Sequence, residues 1–345
     1  MKLLVFGANS QLGRELTRLL KLGGYDFEPL TTDEVDVLNA KEVVKAVTRV
    51  NPTQLVNVST YANLQKAESD PDAARLCEQI NTEGVTSLAK VCAKLGIPLI
   101  HHSSSYVFDG KKKGPYLEDD ETNPVCRYGI SKWYGERTLR ELHDKHIILR
   151  TDWLFSGYRN NYFPRVIDAC KNNNGKVSIV DNRFSPTHSF DAARVILAII
   201  NQIDCNAEVW GTYHYNAMQP VNQDQFVHYV LEEAAKLDKL LEKVLPSLEI
   251  ELLPVELPYI PNTTLNCDKI MTTFGIKQRS RGEGVIAALE EIYGVAKPAP
   301  VKAKPKAKNS KPSGTKAKAA RNKQSAPAKN PKRSKPPAKK AAKQK

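Results

Sequence analysis

The sequence predicts an α/β fold: a doubly wound parallel sheet with a smaller C-terminal lobe and a basic tail. Three observations predict it. Short apolar runs alternate with amphipathic helical stripes through the first half of the 345 residues. The first run enters a glycine-bearing turn, Gly7-Ala8-Asn9-Ser10-Gln11-Leu12-Gly13. Further on, Tyr128 and Lys132 stand one helical turn apart, downstream of Ser103-Ser104-Ser105.

The elements follow in order. Lys2 to Phe6 is short and apolar, as in a strand buried on both faces. Leu12, Leu16, Leu19 and Leu20 then recur at helical spacing. Phe27 to Leu30 reads as a second strand, and Val43, Val44, Val47 and Val50 as a second helical stripe. Leu55 to Val58 is a third strand. From Ala74 to Leu95 one helical region keeps its apolar residues on one face. Strands are expected from Pro98 to His101 and from His146 to Leu149. Such alternation implies right-handed crossovers, with ligands beyond the carboxyl ends of the strands. After Thr151 the pattern loosens, although 191–203 and 225–241 keep helical spacing.

The expected organisation is a dinucleotide-binding part over 1–155, with a return segment at about 186–217. A substrate lobe is expected over 156–185 and 218–296. Residues 297–345 hold eighteen Lys and Arg and no Asp or Glu. That leaves 33 basic against 38 acidic residues in positions 1–296, a net of −5. The tail lacks the apolar content to build a core and is expected to be disordered. Its charge suits weak polyanion binding or nuclear import, and equally a solubilising extension. The six cysteines include no CxxC pair and read as reduced thiols of a cytoplasmic protein, with a nuclear fraction if the tail directs one. No stretch has the ~20 apolar residues of a membrane span, and no metal site is expected.

The chemistry-bearing residues lie at strand ends. Glycines at 7 and 13 let backbone amides approach phosphate, with Ser10, Gln11 and Leu12 between them. A dinucleotide fingerprint has a further glycine where Ser10 stands, and taken alone the turn equally fits an ordinary strand–helix junction. Asp36 is placed to accept from an adenine amine, or else to cap the helix near Asn39. Val37 and Tyr61 follow the second and third strand regions and complete the expected cofactor set. No carboxylate stands at Thr31-Thr32 to repel a 2′-phosphate, which favours NADPH over NADH. A cation four residues from Tyr128 is expected to lower the pKa of the phenol. A tyrosine tuned in that way passes protons near neutral pH.

Further stretches make a specific resemblance. They are Asn57 to Glu68, Ser103 to Phe108, Tyr128 to Lys132 with Gly135-Glu136, Arg150 to Leu154, Ser185-Pro186-Thr187 and Leu265-Asn266. With Leu4 to Gly13 they run in order over roughly residues 1–280, and the chain resembles the dTDP-4-dehydrorhamnose reductase family. These are extended short-chain dehydrogenase/reductases with a Rossmann-type fold. The resemblance implies reduction of the 4-keto group of a nucleotide-linked 6-deoxy sugar, dTDP- or UDP-linked. It implies that Ser104 orients the keto oxygen and that Tyr128 is the general acid. Lys132 would hold the nicotinamide ribose, and Ser105 and Trp153 would contact the sugar. The chain departs from the pattern at three places. Ser105 replaces an aspartate, Val58 to Thr60 replace alanines beside the cofactor, and Ile260 replaces an arginine. The family also contains a non-catalytic NADP-binding branch, the regulatory beta subunit of methionine adenosyltransferase. Drift toward that role, with the catalytic subunit as partner, is the alternative that these departures suggest.

Overall fold

The computed structural model describes residues 1–158 and 161–295. The tail reading lies outside them. Strand β1 (Lys2–Phe6) leads into helix α1 (Gln11–Leu22), and β2 (Asp26–Leu30) into α2 (Ala40–Val50). Next come β3 (Gln54–Asn57), α3 (Leu64–Ser69) and α4 (Pro71–Glu78). A π-helical stretch, Gln79–Gly84, joins α4 to α5 (Val85–Leu95), and β4 (Leu99–Ser104) follows. Where one helical region was expected there are thus two α-helices with a π segment between them. The apolar face runs on through the wider turn.

Helix α6 (Arg127–Leu142) precedes β5 (His146–Thr151). The remainder contains short strands β6 (Leu154–Phe155), β7 (Lys176–Val180), β8 (Arg183–Phe184) and β9 (Thr187–His188), with α7 (Tyr162–Asn172) among them. Helix α8 (Ser189–Asp204) and β10 (Gly211–Tyr215) return to the main sheet. Then follow β11 (Val221–Asn222), α9 (Gln223–Ala235), α10 (Lys239–Val244), β12 (Glu249–Leu253), α11 (Asp268–Phe274) and α12 (Arg281–Tyr293). The stripe expected over 225–241 is therefore two helices, α9 and α10, and Asp238 caps the second by accepting from Leu240 N and Leu241 N.

The main sheet has six parallel strands in the order β10-β5-β4-β3-β1-β2. From β1 the chain goes to β2 on one side and returns to β3 on the other. The switch point where open α/β sheets bind ligands therefore lies beside β1 and the glycine turn. Burial accounts for the strand composition. Residues Leu3 to Phe6 and all of β3, β4 and β5 are buried. One face packs against α1 and α8 through Leu12, Leu16, Ile196 and Ile200. The other packs against α2, α5 and α6 through Val43, Val47, Leu88 and Leu139. A separate core gathers α7, α9 and α12 around Phe163, Phe226, Leu231 and Val285. All six cysteines are free. Among the described residues no helix is long and apolar enough to cross a membrane.

Candidate active site

The site forms where β3 and β4 end against α6. Strand β4 stops at Ser104, whose hydroxyl accepts from Tyr106 N at 3.3 Å and starts a 3-10 turn. Helix α6 begins hard against that turn. A Cβ on Gly129 would lie 2.2 Å from the carbonyl oxygen of Tyr106, so only glycine allows the approach. This contact brings Tyr128 to the end of β4, near the hydroxyls of Ser104 and Thr60. The rings of Tyr106 and Tyr128 meet edge-to-face at 5.9 Å. Lys132 is fully buried one turn on, and its Nζ donates to His102 O at 2.7 Å.

A buried ion pair holds α6 on the sheet. Arg150 of β5 donates Nε to Glu136 Oε1 at 2.9 Å and Nη2 to Oε2 at 2.7 Å. Burial opposes ionisation of Glu136, but the Arg150 guanidinium outweighs it and keeps the carboxyl well below its usual range. The helix bearing Tyr128 and Lys132 is thereby fixed by two parallel charge-assisted bonds.

The phenol corrects one expectation. Burial pushes Tyr128 up to about 12, and the hydroxyls of Ser104 and Thr60 oppose the rise. The i+4 spacing alone does not yield an acidified phenol. Burial also brings Lys132 down to about 8, against an opposing pull from Glu136. Tyr128 thus carries its proton at neutral pH, and Lys132 is largely charged there.

The glycine turn closes tightly. A Cβ on Gly13 would sit 2.1 Å from Gly7 O, so the turn closes only with glycine. The first-turn amides of Gln11 and Leu12 have no acceptor within the helix. The side chains do other work. Ser10 caps α1, accepting from Gly13 N at 3.0 Å while its hydroxyl donates to Val58 O at 3.3 Å. It stands where the third glycine is expected and holds the turn by these two bonds. Gln11 donates to Leu154 O and accepts from Ser156, and Leu12 is core.

At β2, Asp36 is exposed and accepts from Leu38 N at 2.9 Å, while Asn39 caps α2. Val37 is buried against the core. Tyr61 gives its amide to Asn81 Oδ1 at 3.0 Å. Trp153, in a left-handed backbone conformation (φ 28°), packs edge-on against Tyr162 and Phe184. It thus lies against the second core, at a distance along the chain from the Tyr128 motif. Ser105 is buried and donates to Asp152 Oδ1 at 2.9 Å. Of the departures after β3, Val58 joins the core, Ser59 donates to Asn57, and Thr60 donates to Asn81. Ile260 lines the apolar wall beside Tyr106 and Tyr128.

Four residues escaped sequence reasoning. Glu34 accepts from the amide and hydroxyl of Thr31 at 2.8 and 2.9 Å, so a carboxylate does stand at the end of β2. Its spacing of about 20 residues past the glycine turn was the available signal. Asn81 and Thr60 are joined only through the tertiary fold. Asp152 is buried and accepts from Ser105 Oγ, Ser185 N and Thr263 Oγ1. A cleft of about 490 Å3 is lined by Gln65, Glu68, Leu253, Leu257 and Tyr259, outside the Ser104–Tyr128–Lys132 set. Glu68 ties it to α6 by accepting from Arg127 N at 3.0 Å.

The chain matches the family model described as RmlD substrate binding domain over residues 1–293. It is 34% identical over 282 residues to a dTDP-4-dehydrorhamnose reductase of Aggregatibacter actinomycetemcomitans, covering 80% of this chain and 94% of that one. A reductase of the same name from Escherichia coli K12 is 32% identical, with 85% and 98% covered. Among solved structures, a dTDP-4-dehydrorhamnose reductase from Clostridium acetobutylicum superposes with a TM-score of 0.73 at 27% identity, covering 84% of this chain and 99% of that one. One from Bacillus anthracis in complex with NADP gives 0.69 at 26%, with the same coverage.

Proposed function

The chain belongs to the dTDP-4-dehydrorhamnose reductase family, and from that premise we propose that it reduces the 4-keto group of dTDP-4-dehydrorhamnose with NAD(P)H, giving dTDP-L-rhamnose. The observation that carries the reading is the phenol of Tyr128, protonated and buried, with the Ser104 hydroxyl near it.

The cofactor fits the residues present. The closed glycine turn and the free amides of α1 suit its diphosphate, and Lys132 suits the nicotinamide ribose. Bound there, it supplies the hydride that adds to C4 of the sugar. Ser104 donates to the keto oxygen and holds it in line with Tyr128. As charge develops on that oxygen, Tyr128 gives up its O–H proton to it, and the C=O becomes CH–OH. The resulting phenolate is stabilised by its hydroxyl neighbours and later regains a proton from solvent. A pKa above neutrality keeps the acid loaded between turnovers. Trp153 is assigned to the sugar. The substrate lobe is assigned to 156–185 and 218–296.

The test is NADPH oxidation with dTDP-4-dehydrorhamnose as substrate. Tyr128→Phe is expected to slow the wild-type rate by at least ~10²-fold, with cofactor affinity unchanged. A Tyr128→Phe enzyme that keeps most of its rate removes the assigned acid, and an inactive wild type removes the reaction.

A further inference from the structure

Trp153 holds a backbone conformation that side chains rarely adopt (φ 28°), two residues past the end of β5. Such strain persists only where the surrounding structure over-determines it. Here two bonds to one short segment bracket the residue. Asp152 Oδ2 accepts from Ser185 N at 2.6 Å, and Trp153 O accepts from Thr187 N at 3.0 Å. The ring of Trp153 packs edge-on against Phe184, the residue before Ser185.

The Asp152 carboxyl is fully buried and reaches two further segments. Its Oδ1 accepts from Ser105 Oγ at 2.9 Å, one residue past Ser104 and the end of β4. Its Oδ2 also accepts from Thr263 Oγ1 at 2.8 Å. The 183–187 and 261–263 segments are joined to each other by their backbones, Arg183 N donating to Pro261 O at 2.8 Å and Thr263 N to Arg183 O at 3.0 Å. All three donors converge on one acceptor group, which a carboxyl can satisfy with its two oxygens. Of the two residues assigned to the sugar, Ser105 is thus held by the carboxyl directly, and Trp153 through the chain and the 185–187 segment.

We infer that Asp152 is a positioning residue for the nucleotide sugar, its carboxyl setting Trp153 and the 185 and 263 segments against Ser105 at the end of β4. The inference rests on the reductase reading and on the assignment of Ser105 and Trp153 to the sugar. None of the three bonds reaches Lys132 or the glycine turn, so cofactor binding and the proton step do not depend on them. A wall that is formed before the sugar arrives lowers the ordering cost of binding. Losing it raises KM and leaves kcat in place.

Two measurements test this. In steady-state reduction of dTDP-4-dehydrorhamnose, Asp152→Ala removes all three acceptor contacts and is expected to raise KM about tenfold. The kcat and the NADPH affinity should stay within about twofold. Asp152→Asn keeps an oxygen for Ser185 and Thr263 and should recover most of the loss. Thr263→Val removes one bond and leaves the backbone bond to Arg183, so it tests the same point in a chain that folds even if Asp152→Ala does not. It should raise KM about threefold. Titration calorimetry with dTDP-L-rhamnose needs no turnover and should show the same order of affinities. A loss that lies in kcat or in NADPH affinity, with KM unchanged, overturns the inference. So does an Asp152→Asn variant no better than Asp152→Ala, or a Thr263→Val variant that binds dTDP-L-rhamnose as the wild type does. A wild type that binds dTDP-L-rhamnose in this order yet does not reduce the keto-sugar fails the reductase reading alone, so the two fail separately.

Discussion

Ser105 Oγ donates to Asp152 Oδ1 at 2.9 Å across the ends of the adjacent strands β4 and β5. The resemblance puts a carboxylate at position 105, and here a hydroxyl donates from that position to the carboxyl of Asp152. Asp152 Oδ2 accepts from Ser185 N at 2.6 Å and Thr263 Oγ1 at 2.8 Å. One carboxyl thus ties the strand ends at the site to two segments of the C-terminal half.

Burial raises Asp152 from 3.8 to about 7, with the Ser185, Thr263 and Ser105 bonds opposing. A folded pKa above the unfolded one means that the native state holds the extra proton. The contribution is fully present below about pH 4 and is lost as pH rises to about 7. Asp152→Asn keeps one oxygen for Ser185 and Thr263 and offers an amide to Ser105. It should flatten the stability change between about pH 4 and 7, measured by urea unfolding. Asp152→Ala strands three donors and should cost about 2–4 kcal/mol at neutral pH. An Ala variant as stable as the Asn variant would show that these bonds contribute nothing.

Lys132, lowered by burial to about 8, is charged below that pH and neutral above it. If it holds the cofactor ribose as a cation, kcat/KM for reduction should fall as pH rises through about 8. The profile reports the free enzyme. Lys132→Met should be slower by about tenfold or more and show no such limb. A limb that persists in Lys132→Met belongs to another group.

Glu34 is bonded to the amide and hydroxyl of Thr31 at the end of β2, the point at which we propose that the adenine ribose sits. Those bonds from Thr31 lower its pKa, so it is anionic at neutral pH. A 2′-phosphate brings a like charge to this point. Glu34→Gln should therefore raise the preference for NADPH over NADH by roughly fivefold, read by fluorescence titration of both cofactors. An unchanged ratio would place the ribose elsewhere.

The eighteen cations beyond residue 296 should give salt-sensitive binding to polyanions. Truncation after Val295 should abolish retention on heparin at low salt while leaving the reductase rate and melting temperature unchanged. A truncated chain that still binds heparin would move the binding to the net-negative body.

Much of this was legible in the residues alone. Periodicity is local, so the apolar runs at 2–6 and 55–58 and the stripes at 12–20 and 43–50 announced β1, β3, α1 and α2. The glycine turn and the Tyr128–Lys132 spacing are local too, and they marked candidate cofactor and acid positions before any fold was known. What the neighbours of Tyr128 do to it was not local. Thr60 and Ser104 come near it from the ends of two separate strands, and burial by the whole fold raises its pKa where a cation four residues away predicted a fall. Asp152 and Glu34 were missed for the same reason. A carboxylate's role depends on the groups that donate to it and on the water it has lost, and both are properties of the packed chain. The sequence determined which chemistry is present and where it recurs along the chain. Only tertiary structure decided which groups share a proton, because hydrogen bonding and desolvation act over a few ångströms of space whatever the distance in sequence.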